Sequence, residues 1–404
     1  MSAPFTPRVL MVTRETGPDR RYGLGRSLAP VVEALRDQGA QVRYFCQEDL
    51  GPADLERRQS QWVRLSSLAG IRGRENRLAL VRAWLERLQV GAAAGRLALS
   101  EGYSHVHAHD PWIACGVWWS TRGHAGRGIR WGITQHGFGS YSLATHADGL
   151  VQGPAAQRWM RRIEALVVDR ADWVTAPTHA ALEQLARDLC EPAVAAHWHC
   201  VPHGRPTIAA PTAEQRAAAR NQLHWRDEDL VVLGVGRLAP LKCFDRLIDA
   251  CADQAVPALR LVLLGGGDPA PFVAQAEARG FAEKLQITTV DDVTPYLHGA
   301  DIYASASSTE SFGLANLEAL CAGLPAVCSA VGGVPEVMGD GAWLVPNDVA
   351  SIARALRALI ADAALRRTWG ERAAARAAQW PSQEAIAQQY LDIYCAAAAA
   401  RQPR

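Results

Sequence analysis

Two glutamates in one short stretch have the spacing to act together on a ligand. Glu310 and Glu318 lie in the run ESFGLANLE, with seven residues between them. A helix is predicted from about Leu314 to Ala322, so one carboxylate precedes this helix and the other lies about a turn inside it. Carboxylates placed in this way can bracket a polyhydroxylated ligand. The same pair can also be a helix cap and a solvated side chain, and the spacing alone does not decide between the two.

Backbone amides between the glutamates add a place for an anion. The predicted helix begins with Gly313, Leu314 and Ala315. N–H groups in the first turn of a helix have no intrahelical partner, so they can receive an anionic group. Hydroxyls for the carboxylates and a phosphate for the helix start together indicate a sugar nucleotide.

Two basic residues follow a predicted buried strand upstream. The run LVVLGVGR ends in Gly236 and Arg237, and Lys242 follows just before another predicted helix. A diphosphate carries about two negative charges, and two fixed cations at a strand end can neutralise it. Lys242 is one of two lysines beside 40 arginines. A surface ion-pair cluster is the alternative interpretation.

The elements that must carry these residues alternate between strands and helices. RVLMVT (8–13) predicts a first parallel strand, which leads to Gly23 and Gly25 and then to an amphipathic helix ending at about Asp37. Glycines there allow an anion close to the backbone, although a plain turn explains them equally well and the strict G-x-G-x-x-G is missing. The segment up to about residue 78 and residues 141–153 show no clear pattern.

Composition bounds the class of protein. A length of 404 residues favours two domains, and the net charge of +1 gives no argument for nucleic acid as a partner. The nine cysteines show no metal-ligand spacing, and there is no signal peptide or membrane span in the sequence. These features predict a soluble cytoplasmic protein.

Two longer runs resemble a known family. ESFGLANLEALCAGLPAVCSAVGGVPEV and LGVGRLAPLKCFDRLIDA resemble the signatures of retaining glycosyltransferases of family 4, the glycosyl transferases group 1 domain. The resemblance implies the α/β GT-B fold, with two Rossmann-like doubly wound parallel-sheet domains facing a central cleft. It predicts an acceptor-side domain at 1–205, a donor domain at 206–380 and a C-terminal helix at 381–404 that crosses back to the first domain.

The resemblance also implies roles for particular residues. The stretch HAHD places His109 against the transferred sugar or the acceptor. The implied catalytic residues are Arg237, Lys242, Glu310 and His109. The implied donor-binding residues are Glu318, Gly313, Leu314, Ala315, Gly23, Gly25, Gly236 and Val290. The acceptor-side candidates are His136 and Trp112. The resemblance implies no metal and no cofactor.

The function that follows is sugar transfer with retention of anomeric configuration. The donor is a nucleotide-diphospho-sugar, UDP- or GDP-linked, and the acceptor is a saccharide, glycolipid or small molecule, with a bacterial envelope glycan as the expected setting. A sugar-nucleotide 2-epimerase of the same architecture and a non-catalytic sugar-nucleotide-binding protein are the alternatives. A helix with Arg158, Arg161 and Arg162 beside Trp159 can rest peripherally on the inner face of a membrane, or it can be a solvated face. The oligomeric state stays open.

Overall fold

The chain forms two compact units. The computed structural model describes residues 6–14, 23–68, 75–123, 128–147 and 154–400. Unit 1 lies within Met1–Gly204 and Gln383–Arg404, and unit 2 is Arg205–Ser382. The predicted boundaries lie near residue 205 and at residue 381.

Unit 1 is built on a six-stranded parallel sheet in the order β2-β1-β3-β4-β5-β6. Its four inner strands are buried on both faces, as strands between two helix layers must be, and the edge strands β2 and β6 are partly buried. The six strands are β1 (Arg8–Val12), β2 (Gln41–Phe45), β3 (His105–Ala108), β4 (Arg130–Thr134), β5 (Trp173–Ala176) and β6 (Trp198–Cys200). The order of the strands reverses between β1 and β3.

Seven helices of unit 1 connect these strands. They are α1 (Gly23–Asp37), α2 (Pro52–Leu68), α3 (Glu75–Glu101), α4 (Pro111–Thr121), α5 (Tyr141–Ala147), α6 (Pro154–Arg170) and α7 (His179–Leu189). The sequence analysis was wrong to leave the regions of α2 and α5 without structure. Most residues of α2 are exposed where described, so its sequence lacks the apolar stripe that marks a helix.

Unit 2 is a second six-stranded parallel sheet, in the order β12-β11-β10-β7-β8-β9. Its strands are β7 (Leu230–Val235), β8 (Leu259–Leu264), β9 (Leu285–Thr288), β10 (Ile302–Ser305), β11 (Ala326–Ser329) and β12 (Trp343–Val345). Its helices are α8 (Ala213–Gln222), α9 (Phe244–Ala252), α10 (Ala270–Ala278), α11 (Thr294–Gly299), α12 (Leu314–Cys321), α13 (Val334–Met338), α14 (Val349–Ala361) and α15 (Ala363–Ala378). The two sheets confirm the predicted fold class of Rossmann-like doubly wound domains.

The strand order of unit 2 reverses between β7 and β10. Helix α9, which follows β7, packs through Phe244 and Leu247 into the core on one face of the sheet. Helix α12, which follows β10, packs through Leu317 and Leu320 into the core on the other face. The loops after β7 and β10 therefore diverge at the carboxyl edge of the sheet, which is where open α/β sheets bind their ligands.

The last helix, α16 (Gln383–Ala399), belongs to unit 1. Its residues Ile386, Tyr390 and Tyr394 are buried in one core with Val31 and Leu35 of α1. The tail of the chain therefore covers one face of the first sheet.

Candidate functional site

The predicted Lys242 and Glu310 meet at the reversal point of the second sheet. Lys242 lies in the loop after β7 and Glu310 in the loop after β10. The Lys242 Nζ to Glu310 Oε2 distance is 2.5 Å, and the side chains of Lys242 and Glu310 are 20% and 17% exposed. Ser307 Oγ lies 3.5 Å from the same carboxylate oxygen. The structure thus brings together a cation and a carboxylate that are 68 residues apart in the chain.

Backbone contacts hold the loop that carries Lys242. Residues Pro240–Lys242 form one 3₁₀ turn, and Cys243 after it has a left-handed conformation, with φ of 47°. The loop after β10 clamps this turn, because Ser308 donates its backbone N–H to Leu241 O at 2.8 Å and its Oγ–H to the same oxygen at 3.2 Å. The clamp sets the position of Lys242 relative to Glu310.

An asparagine connects three strand ends beside this pair. Asn347, just after β12, donates from Nδ2 to Ser307 O at 3.0 Å and accepts from Ser329 Oγ at 3.2 Å. Its own carbonyl accepts from Arg246 Nη1 at 2.5 Å, which ties in helix α9. The sequence analysis singled out neither Asn347 nor Ser308, because their partners lie in other loops that no motif links to them.

The start of α12 requires a glycine. Gly313 has φ of +82°, and a Cβ there would lie 2.4 Å from Asn316 Nδ2 and 3.3 Å from Glu310 Cγ. The first helical hydrogen bonds are donated by Asn316 and Leu317 to Gly313 O. The helix therefore makes no use of the amides of Gly313, Leu314 and Ala315, and they have the geometry of an anion-binding helix start.

Glu318 is buried within α12, with 4% of its surface exposed. Burial raises the pKa of Tyr303 well above its usual value, and smaller contributions to this rise come from Cys328 and then from the two carboxylates, Glu310 and Glu318. Both glutamates therefore lie within electrostatic reach of one phenol. The Tyr303 hydroxyl donates a hydrogen bond to Asn316 Oδ1 at 2.8 Å. This bond holds the phenol at the start of α12.

The remaining predicted donor residues lie at the same edge of the sheet. Arg237 is exposed just after β7, and its side chain makes no hydrogen bond or ion pair with the described residues. Gly236 passes so close to the next strand end that a Cβ on Gly265 would lie 1.8 Å from Gly236 O. Val290, after β9, is half-buried against the core that α12 shares.

In unit 1 the predicted glycines open helix α1. Gly23 is its first residue and Gly25 is buried in its first turn, so neither lies in the preceding loop where the sequence analysis put them. The residues just before this helix lie outside the described ranges. His109 follows β3, the strand beside β1, and donates its backbone N–H to Val12 O at 2.9 Å. These residues occupy the reversal point of the first sheet.

Four histidines stack at the carboxyl edge of the first sheet. The ring of His109 lies 4.5 Å from His107 and 5.2 Å from His136, and His136 lies 6.1 Å from His203, measured between ring centres. The His109 Nδ1 to His136 Nε2 distance is 2.9 Å, so one of the two nitrogens carries a proton and donates it in a hydrogen bond to the other. Burial, followed by repulsion from neighbouring histidines, lowers the pKa of both rings well below the usual value.

The acceptor-side candidate Trp112 is wholly buried, at 0% exposure. It packs against Trp84, with ring centres 4.8 Å apart, and against Tyr141 at 6.3 Å. Asp110 caps its helix and forms an ion pair with Arg87 at 2.9 Å. These contacts place Trp112 beneath the surface rather than on it.

Within the described part of the chain, no group of three or more His, Cys, Asp or Glu side chains is arranged to hold a metal ion. Among the helices described, none combines the length and the apolarity that crossing a membrane requires.

The chain matches the profiles of two glycosyltransferase families. The sequence profile of glycosyl transferases group 1 matches residues 215–376, and that of glycosyltransferase family 4 matches residues 22–207. The D-inositol 3-phosphate glycosyltransferase of Salinispora tropica is 30% identical over 409 residues, which cover 93% of this chain and 76% of that relative. The chain belongs to glycosyltransferase family 4.

Other family 4 relatives match over a shorter span. The D-inositol 3-phosphate glycosyltransferase of Mycobacterium sp. (strain KMS) is 32% identical over 294 residues, 67% of this chain. That alignment spans 63% of the relative's own length. The predicted family resemblance is confirmed.

Solved structures show the same fold. The sucrose-phosphate synthase of Thermosynechococcus elongatus superimposes with a TM-score of 0.76 at 21% identity, covering 96% of this chain and 98% of that one. The Anabaena HepE protein in complex with UDP-glucose gives a TM-score of 0.71 at 18% identity, covering 96% and 99%. At these identities the likeness establishes the GT-B fold of this family 4 chain.

Proposed function

We propose that this family 4 chain is a retaining glycosyltransferase that moves a sugar from a nucleotide-diphospho-sugar to a hydroxyl acceptor. The acceptor class is a saccharide, a glycolipid or a small molecule, with a bacterial envelope glycan as its setting. The observation that carries the proposal is the Lys242–Glu310 pair at the reversal point of the second sheet, beside the free amides of α12. UDP is the first nucleotide to test, because the HepE protein was solved with UDP-glucose.

The electrostatics of unit 2 suit a diphosphate leaving group. As the bond between the anomeric carbon and the diphosphate oxygen breaks, negative charge collects on that oxygen. Lys242 and Arg237 supply fixed positive charge, and the amides at the start of α12 supply dipoles that point toward an anion. Because this compensation comes from the protein, the proposed reaction needs neither a metal nor a cofactor.

The carboxylates suit the neutral parts of the donor. Glu310 accepts hydrogen bonds from sugar hydroxyls, and Glu318 accepts them from the ribose. Retention then requires the acceptor hydroxyl to attack the face from which the diphosphate departs, with the diphosphate oxygen taking the hydroxyl proton. On the acceptor side, His109 and His136 are the residues that we assign.

The name of the relatives indicates one further class of acceptor. Their shared name, D-inositol 3-phosphate glycosyltransferase, describes transfer to a phosphorylated polyol. This supports including small polyols and their phosphates among the acceptors, together with saccharides and glycolipids. Cytoplasmic location with peripheral membrane contact fits these substrates.

The proposal is tested by donor binding and product analysis. Calorimetric titration with UDP-sugars and GDP-sugars identifies the donor, and Glu318→Gln is then expected to weaken its binding while leaving the turnover at saturation nearly intact. Glu371→Gln, an exposed position on α15, is the matched control. An unchanged donor affinity in Glu318→Gln would remove this residue from the site.

Four outcomes separate the proposal from its alternatives. NMR of the product should show the anomeric configuration of the donor, and EDTA should leave the rate unchanged. Rearrangement of the donor sugar without an acceptor would indicate an epimerase instead. Tight binding with no turnover across a broad acceptor panel would indicate a binding protein.

A further inference from the structure

Two carboxylates hold the loop between β4 and α5. This loop, residues 135–140, follows β4 at the carboxyl edge of the first sheet and carries His136. Where the loop enters α5, three successive backbone amides donate to acids that lie on other helices. The acids are Glu164 of α6 and Asp188 of α7, here called the carboxylate anchor. The loop is therefore fixed by side chains from later parts of the chain.

Glu164 makes the larger part of the carboxylate anchor. Its Oε1 accepts from the Tyr141 amide at 2.8 Å and from Gln135 Nε2 at 3.1 Å, and its Oε2 accepts from the Ser142 amide at 2.8 Å. Glu164 is 0% exposed. Amides in the first turn of a helix have no intrahelical partner, so a carboxylate that receives two of them fixes the start of α5.

Asp188 holds the residue just before this helix. Its Oδ2 accepts from the Ser140 amide at 2.7 Å, and its Oδ1 accepts from Gln184 Nε2 at 2.7 Å. Gly139 has φ of +86°, and a Cβ there would lie 2.2 Å from Asp188 Oδ2. The chain therefore needs a glycine at this turn to bring the next amide onto the carboxylate.

The loop that is held in this way carries one half of a histidine pair. His136 Nε2 lies 2.9 Å from His109 Nδ1, with the ring planes 25° apart. The Nε2 atom of His109 is buried and has no hydrogen-bond partner among the described residues. The backbone of His109 is fixed to the sheet, because its N–H donates to Val12 O at 2.9 Å. The carboxylate anchor supplies the corresponding restraint for the loop of His136.

We propose that Glu164 and Asp188 are positioning residues for the acceptor side, which hold His136, and through it His109, toward the acceptor hydroxyl. A buried amide that loses its acceptor costs free energy, so the bonded conformation of the loop is favoured over others. Glu164 has no exposed surface, so it acts through the loop and not on a substrate. The inference rests on the proposed function, in which the two histidines face the acceptor.

The first test needs no substrate. In Glu164→Gln, one carboxylate oxygen is replaced by an amide N–H that faces a donor of the loop, so one backbone amide loses its acceptor. Hydrogen exchange followed by mass spectrometry should become about tenfold faster in the peptide that covers residues 136–142. Glu183→Gln removes an exposed acid of α7 and is the matched control, with exchange like that of the unmodified chain. Unchanged exchange in Glu164→Gln would overturn the proposal.

The second test asks whether Glu164 acts through His136. Glu164→Gln should lower kcat/KM for the acceptor about 10–100-fold and leave the Kd of the donor unchanged. In the background of His136→Ala, the same substitution should lower kcat/KM no further, because the ring that it positions has been removed. Losses that multiply would indicate a general structural defect and would refute the positioning role. A matching loss of donor affinity would refute it too.

Asp188 provides milder variants in case Glu164→Gln does not fold. Asp188→Ala removes the acceptor of the Ser140 amide and should give faster exchange and a lower kcat/KM. Asp188→Asn keeps one acceptor oxygen, and Gln184 can turn its own amide to match the other end, so values near those of the unmodified chain are expected. Unmodified values in Asp188→Ala, or equal losses in both variants, would count against the carboxylate anchor. Exchange is measured without transfer, so failure of the anchor is distinguishable from failure of the proposed function.

Discussion

Acid is expected to destabilise unit 1 through two buried histidines. His105 and His107 on β3 have 0% exposure. Burial lowers the pKa of His105 to about 4 and that of His107 to about 3. An unfolded histidine has a pKa of about 6.5, so the unfolded state binds more protons than the folded state below that value. The stability that these two neutral histidines contribute is therefore present above pH 6.5, and it is lost as the pH falls toward their pKa values in the folded state.

Burial is what makes a second proton costly on these two rings, since their hydrogen-bond partners are neutral groups. His105 donates Nε2–H to the carbonyl of Tyr394 at 2.9 Å, and His107 lies between Tyr394 and Thr134 at 2.8 and 2.7 Å. Between pH 7 and pH 5 each histidine is expected to remove about 2 kcal/mol from the free energy of unfolding, or about 4 kcal/mol together. That is a large share of the roughly 5–15 kcal/mol of a typical domain.

Urea unfolding at pH 7, 6 and 5, followed by tryptophan fluorescence and circular dichroism, measures this loss. His107→Gln removes one titrating group, so its free energy of unfolding should fall by about 2 kcal/mol less than that of the unmodified chain between pH 7 and 5. The exposed His179→Gln should follow the unmodified chain. Buried Glu164 has a raised pKa and acts in the opposite direction, but it is common to all three proteins. Equal pH dependence in His107→Gln and the unmodified chain would refute the reasoning.

Three further changes probe the second unit. Lys242→Ala should lower turnover about 10²–10³-fold with a much smaller loss of donor affinity, because its charge is most needed as the bond breaks; equal losses in the two constants would contradict this role. Asn347→Ala should lower kcat/KM about 10–100-fold by loosening the loops that carry Lys242 and Glu310, and an unchanged kcat/KM would show that the bridge does not position them. The free energy of unfolding of Cys243→Gly should be about 1 kcal/mol higher than that of Cys243→Ala, because φ of 47° strains any residue with a Cβ. A higher value for Cys243→Ala in urea titrations would contradict the left-handed conformation.

The sequence predicted the paired groups of unit 2 because the two runs that carry them resemble family signatures, whereas their spacing alone left other interpretations open. The predicted helix after Gly313 and the predicted strand before Arg237 are both present. Parallel strands end at one edge of a sheet, so residues after two such strands are expected to share that edge. Predicting the contact between Lys242 and Glu310 also requires knowing that β7 and β10 are neighbours in the sheet. Neither motif indicates the strand order.

Residues that act through the backbone could not be predicted in this way. Ser308 and Asn347 are small polar residues in loops, and their residue types do not set them apart from other loop residues. Their partners, Leu241 O and Ser307 O, become neighbours only once three loops have been folded against one another. The histidine stack is a similar case, since His109, His136 and His203 come from loops that are distant in sequence.

The Lys242–Glu310 pair also bears on which ligand the site prefers. Each side chain is mostly buried and satisfied by the other, and separating such a pair without replacement costs about 3–5 kcal/mol. A free phosphate gives Lys242 a new anionic partner but leaves the carboxylate of Glu310 with none. Under the proposed function, a diphosphate that carries a sugar would supply an anion for Lys242 and hydroxyl donors for Glu310 together. Under the proposed function, we therefore expect the ion pair to favour the complete sugar nucleotide over free phosphate, because only the complete donor would give both side chains a new partner.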